Sequence, residues 1–195
     1  YVGGESAGKI KTKDQMKHSA ICNQFYVYSG AENMVNMMKY ICSQVLHEEM
    51  EYQEPIFIPW EGIFHPDSKE IFQSTKDYFD WKEPSGKGTI ALLVSRTAWL
   101  SGDIEVEQTL IKHIEKNGYT ALPIFSYATA DIDLGAKGTA YAVEIFCFDD
   151  YGQPIVDGMI RMTGFFLQDT DEYANTSESS VMSRLNCPIV KPICS

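Results

Sequence analysis

The chain has 195 residues, a formal charge of −11 and a pI near 4.7, which excludes general binding to nucleic acid or anionic membrane, since both need basic patches. An apolar share of 44% with 12% aromatics fits a folded globular protein and excludes global disorder. No apolar run reaches the roughly 18 residues of a bilayer span.

The start, Tyr1-Val-Gly-Gly-Glu, is polar and carries neither Met nor a signal peptide, and the end falls just after an apparent strand. An excised piece of a longer, cytoplasmic protein is the expectation. The five cysteines, Cys22, Cys42, Cys147, Cys187 and Cys194, are odd in number and form no CxxC pair, so they read as reduced thiols.

Residues 1–17 are Gly/Lys-rich and read as a loop or frayed helix start. Phe25-Tyr-Val-Tyr28 reads as strand-like. Ser29 and Glu32 stand at capping-box spacing and open a helix to about Leu46, with Met34, Met37, Met38, Ile41 and Val45 as its buried face. Core packing is the better reading of this Met stripe than a ligand pocket. Residues 48–67 carry Pro55, Pro59 and Pro66 and form a long connection. Asp67 or Ser68 caps an expected helix over 69–81. His65, before Pro66-Asp67, is a weak candidate for a metal ligand and otherwise a structural turn residue. Lys82 to Gly88 is a linker. Its Gly/Lys cluster precedes a strand and lacks GxxxxGK[ST], so it is not a phosphate loop.

From Thr89 the pattern becomes β-α-β-α-β-α-β. Thr89-Ile-Ala-Leu-Leu-Val94 has the continuous apolarity of a strand covered on both faces. A polar loop, Ser95 to Asp103, leads into a helix with Val106, Leu110, Ile111 and Ile114 on its apolar side, Asp103 as its cap and Asn117-Gly118 as its stop. Tyr119 to Phe125 is the next strand, and Thr139 to Phe146 the next helix. Ile155 to Met162 is a third strand, residues 177–185 a short helix, and Cys187 to Ile193 a fourth strand. Right-handed crossovers make this an open, mostly parallel α/β sheet of about four strands with helices on both faces, flavodoxin/Rossmann-like. The expected organisation is an α-rich segment over 1–82 followed by the α/β domain over 83–195.

Open α/β folds bind ligands at the carboxyl edge of the sheet, so Ser95 to Asp103 is where a site belongs. Arg96 suits a carboxylate or phosphate there, or else ties down its own loop. Trp99 stacks on a planar ligand or, the better reading, covers the sheet end. Thr163-Gly164 puts a second polar turn on the same edge. GxSxG, HExxH and GxGxxG are all absent, and no catalytic residue is assigned. The acidic pairs Asp149-Asp150, Glu48-Glu49 and Asp169/Asp171 read as solvated loops.

Five motifs in order resemble the large subunit of the cobaltochelatase and magnesium chelatase family. They are Tyr28-Ser-Gly-Ala-Glu-Asn33, Gly62-Ile-Phe-His-Pro-Asp67, Leu93-Val-Ser-Arg-Thr-Ala-Trp-Leu-Ser-Gly-Asp103, Leu122-Pro-Ile-Phe125 and Val156-Asp-Gly-Met-Ile-Arg-Met-Thr-Gly-Phe165. Arg96-Thr97 stands where the family favours Arg-Ser, and Gly158 and Arg161 sit in a strand that is usually more aliphatic. The resemblance implies an N-terminal-side piece of a tetrapyrrole-binding protein. With ATPase partner subunits that hydrolyse ATP, such a protein inserts Co²⁺ or Mg²⁺, its metal substrate, into the macrocycle, as in cobalamin biosynthesis. Ser95, Arg96, Trp99, Gly102, Thr163 and Gly164 would then contribute to the substrate wall, and the isolated piece would be catalytically silent, with no cofactor of its own. The competing readings are a flavodoxin-like or receptor-like module for a small ligand and a scaffold domain that docks other subunits.

Overall fold

The computed structural model describes residues 12–163 and 181–192. The chain divides into two compact units, Tyr1–Pro59 and Trp60–Ser195. Residues 60–82, grouped with the α-rich segment on the sequence, supply a strand and a helix to the second unit.

The first unit is a helical hairpin, α1 (Lys13–Tyr28) and α2 (Ala31–Gln44), followed by an extended segment. Thr12 caps α1, its hydroxyl accepting from the Gln15 amide at 3.1 Å. The helix runs through Phe25–Tyr28, which corrects the strand-like reading. Phe25 is fully buried beside Tyr40, so packing in a helix overrides the β-propensity of a short aromatic run. The capping box does not form. Ser29 (φ 63) and Gly30 (φ 84) both take positive φ to turn the chain, and α2 starts after Gly30 without a side-chain cap.

The inner face of α2 is not the Met stripe but Asn33, Asn36 and Tyr40. Asn33 treats Ile56 as a neighbouring strand would: its Oδ1 accepts from the Ile56 amide at 2.9 Å and its Nδ2 donates to the Ile56 carbonyl at 2.8 Å. Asn36 Oδ1 accepts from the Gln53 amide at 3.0 Å. These side chains supply the extended segment with the backbone partners that a sheet would otherwise give it.

The second unit is a five-stranded sheet of order β1-β3-β2-β4-β5, with β1 Gly62–Ile63, β2 Thr89–Ser95, β3 Thr120–Ser126, β4 Gly158–Arg161 and β5 Ile189–Val190. All neighbours are parallel except β1, which runs antiparallel to β3. The expected parallel α/β architecture is thus present, with one short antiparallel edge added. The third strand is shorter than expected, at 158–161. The expected helix over 69–81 forms only as α3 (Thr75–Trp81), capped by Ser74, because Phe72 pairs with Ile63 instead. The described part of the expected helix near Leu185 is helical over 181–185.

The period-2 alternation of the strands builds two cores. Ala91, Leu93, Leu122 and Ile124 pack with Tyr78 of α3 and with Ala142, Val143 and Phe146 of α6 (Gly138–Cys147). Leu92, Val94, Ala121 and Phe125 face the other way, onto Ile104 and Ile111, the latter in α5 (Glu105–Lys116). Val106 is exposed, and the apolar side of α5 is centred on Ile111. Asp103 makes no cap; the N-cap position is Ile104. Pro123 is tolerated in a central strand because its carbonyl, and hence the side where its missing N–H would point, faces Phe64 rather than β2; Phe64 N donates to that carbonyl at 3.1 Å. Among the described residues no helix is long and apolar enough to cross a membrane.

Cys147 is fully buried in the first of these cores, and burial pushes its thiol from an ordinary 9.0 up to about 12. Between those values the folded chain keeps a proton that the unfolded chain releases, so this thiol makes stability fall as pH rises from 9 to 12, by on the order of 4 kcal/mol in full. Buried Arg96, lowered to about 10, acts in the opposite sense above that pH. Urea midpoints at pH 8 and pH 10.5 should therefore drop less in Cys147→Ala than in the wild type. Equal drops would show that the thiol is ionised in the fold.

Candidate functional site at the carboxyl edge of the sheet

Seven consecutive register pairs bring the carboxyl ends of β2 and β3 level, with Ser95 opposite Ser126. Leu93 pairs with Arg161 of β4, so Thr163, two residues on, comes up beside Ser95. A row of hydroxyls thus lines the edge. Ser126 and Thr163 are buried, Ser95 half-buried. Ser126 Oγ lies 3.0 Å from Thr139 Oγ1, and Thr163 Oγ1 accepts from Arg161 Nε at 2.7 Å.

The stretch after Ser95 is not a loop. Arg96–Ser101 is a short helix, α4, which ends at Gly102 in the left-handed region (φ 78). Six residues carry too little periodicity for a helix to show in the sequence. Gly102 has open space around it and marks the rim. Trp99 of α4 lies flat on Phe125, with centroids 4.0 Å apart and planes 3° from parallel. Its ring closes the end of the sheet.

Arg96 is only 4% exposed. Its guanidinium carbon sits 4.4 Å from the centroid of the Trp60 ring, a desolvated cation–π contact. Burial pulls the guanidinium down to about 10, opposed by the charges of Glu61 and Tyr127, and it remains a cation at neutral pH. Trp60 in turn meets Tyr127 edge-on at 5.6 Å.

Glu61 joins the edge to α6. Its Oε1 accepts from the backbone amides of Lys137 at 2.8 Å and Gly138 at 3.2 Å, the first free donors of that helix. Nothing local caps α6, so a carboxylate from 76 residues away holds its positive end. Gly138 is obligatory here: its φ is +81, and a Cβ would lie 2.7 Å from the Ala130 nitrogen. Trp60, Glu61, Ser126, Tyr127 and Thr139 were missed in the sequence. Trp60-Glu61 directly precede the Gly62 motif, and their proximity to it was the one available signal.

The structure therefore gathers Ser95, Arg96, Trp99, Gly102 and Thr163 at one edge, while Gly164 lies outside the described residues. His65 is elsewhere, on the chain leaving β1 towards the amino half of β3. Its Nδ1 accepts from the Asp67 amide at 3.1 Å, which places the proton on Nε2, 3.0 Å from Glu115 Oε1. Lys82 closes the pair on Glu115. The turn engages Nδ1, and Glu115 of α5 and Lys82 lie against Nε2. Among the described residues no group of three or more His, Cys, Asp or Glu is placed to hold a metal ion.

Removing Glu61 tests how far the edge depends on it. Glu61→Ala should cost about 1–2 kcal/mol of unfolding free energy, and Glu61→Gln, which keeps an acceptor, about half of that. An alanine variant with wild-type urea stability would show that water caps α6 equally well.

Comparisons with known proteins agree with this architecture. The sequence profile of the family described as CobN/Magnesium Chelatase matches residues 23–195. An uncharacterized protein of Methanocaldococcus jannaschii is 28% identical over 181 residues, which are 91% of this chain and 14% of that protein. A magnesium-chelatase subunit of Chlorobaculum parvum is 28% identical over 162 residues, 80% of this chain and 12% of that one. The catalytic subunit of cobaltochelatase from Mycobacterium tuberculosis shares the fold with a TM-score of 0.57 at 18% identity, over 91% of this chain and 13% of that one. The chain spans only about a seventh or less of the length of these relatives. It belongs to the CobN/magnesium chelatase family.

Proposed function

We propose that the chain is a segment of the large, tetrapyrrole-binding subunit of an ATP-dependent metal chelatase, and that the carboxyl edge of its sheet is part of the wall facing the macrocycle. The observation that carries this reading is the family match across residues 23–195, which covers the second unit and most of the first. Co²⁺ and a hydrogenobyrinic-acid-type corrinoid are the proposed substrates, as in cobalamin biosynthesis, with Mg²⁺ and protoporphyrin as the competing pair. ATP is hydrolysed by partner subunits, and the complex works in the cytoplasm.

Metal insertion requires two pyrrole protons to leave and the ion to shed its water, so a base and metal ligands must flank the ring. The edge described above offers hydroxyls, an aromatic lid and a buried cation. Its one carboxylate in that constellation, Glu61, is committed to α6. On this reading the described residues of the edge bind and shape, and the base and the ligands come from elsewhere in the parent protein. The isolated chain is inactive.

The flavodoxin-like alternative needs an anion site at a helix N-terminus on this edge. Glu61 fills that position on α6. A phosphate there would meet a carboxylate, which weighs against a nucleotide or FMN.

The test uses the full-length protein with its ATPase subunits, ATP and each macrocycle–metal pair, followed by absorbance. Spectral conversion of the corrinoid with Co²⁺, dependent on ATP and on the partners, is expected. Conversion of the porphyrin with Mg²⁺ would move the metal and macrocycle. Tight FMN binding without any tetrapyrrole response would overturn the reading. In the same assay Arg96→Ala should lower turnover or tetrapyrrole affinity about tenfold while the protein stays folded, and Arg96→Lys should not restore it, because a lysine lacks the planar face that stacks on Trp60. Unchanged activity would leave Arg96 as an anchor of its own helix.

A further inference from the structure

Helix α2 is inverted over most of its length: two asparagines and a tyrosine are inside and an aliphatic row is outside. Asn33, Asn36 and Tyr40 are buried, whereas Val35 and Met38 are 54% and 58% exposed. Val35, Met38, half-buried Cys42 and the C-cap Val45 recur at intervals of three, four and three residues. That spacing puts them in one straight row along the helix, opposite the asparagines, and it is the seam spacing of a helix that meets another helix. Leu46, 59% exposed, extends the row past the helix end. A cleft of about 450 Å³ between α2 and residues 51–53, lined by Val35, Lys39 and Tyr52, runs beside it. Scattered exposed apolar residues need no explanation, but an ordered row on the solvent side of a helix whose polar side is buried does.

We infer that this row is covered by another segment of the same polypeptide, outside these 195 residues, which lays an aliphatic-striped helix along α2. Three observations select that occupant. The matched stretch makes up only 14% of the Methanocaldococcus relative and 12% of the Chlorobaculum protein, so relatives of this chain carry it within one much longer polypeptide. The row exposes on the order of a few hundred Å², well short of the ~800 Å² per partner that a stable free complex uses. A tethered segment needs less area, because most of the cost of association is already met by the covalent link. Glu32, Glu48 and Glu49 near the row disfavour an anionic membrane surface. The inference uses the length of the relatives and not the identity of the metal or macrocycle.

The test is thiol accessibility in the full-length protein. Met38→Cys is treated with a maleimide in native buffer and in guanidinium, and modification of its peptide is followed by mass spectrometry without partner subunits. The native reaction should be at least about thirtyfold slower than the unfolded one, at every protein concentration. A smaller factor overturns the inference. Protection that disappears on dilution assigns the row to a second copy and also overturns it. Val35→Cys gives the same readout if Met38→Cys does not fold. The labelling does not involve metal insertion, so a failed chelatase assay and a failed accessibility test remain distinguishable.

Discussion

The parallel pairing of β2 with β3 is the constraint on which the rest of the second unit depends. Its unbroken register sets Ser95 level with Ser126 and fixes where the two chains leave the sheet. The α4 helix, with Trp99, must start at one exit and the loop into α6 at the other. Alternation along the same two strands decides which face α5 covers and which face α3 and α6 cover. A one-residue slip would exchange those faces, so the position of the site and the packing of the core are one choice.

Buried charge then ties the edge together. Arg96 is a cation on an aromatic ring, and Glu61 is a carboxylate on a helix end, each answering a need created by the topology. Neither looks like a catalytic group. Their effect is to hold the strand ends, α4 and the start of α6 in a fixed arrangement.

Much of the α/β unit was legible because its signals are local. The apolar run Thr89–Val94 and the Asn117-Gly118 stop, where Gly118 takes a φ of 82, are each contained in a few residues. The β-α-β pattern put the stretch after Val94 at the carboxyl edge, and the chemistry of the side chains drew attention to Arg96 and Trp99 there. What stayed hidden depends on distant partners. Glu61 reaches an amide 76 residues away, and no spacing encodes that. Phe25–Tyr28 looked extended because its propensity is read without Tyr40, which buries it. The inverted face of α2 was also missed: methionines suggest a core by composition, whereas the asparagines face inward because the extended segment at 53–56 needs hydrogen-bond partners.

The central claim is that the macrocycle lies against the carboxyl edge of this sheet. A photoreactive benzophenone side chain placed in the full-length protein at Thr97, exposed on α4, or at Lys116, exposed at the far end of α5, addresses it directly. Irradiation with the bound tetrapyrrole should yield the covalent adduct from position 97 and not from position 116. Adduct from position 116 alone, or from neither while the ligand is bound, would contradict the account.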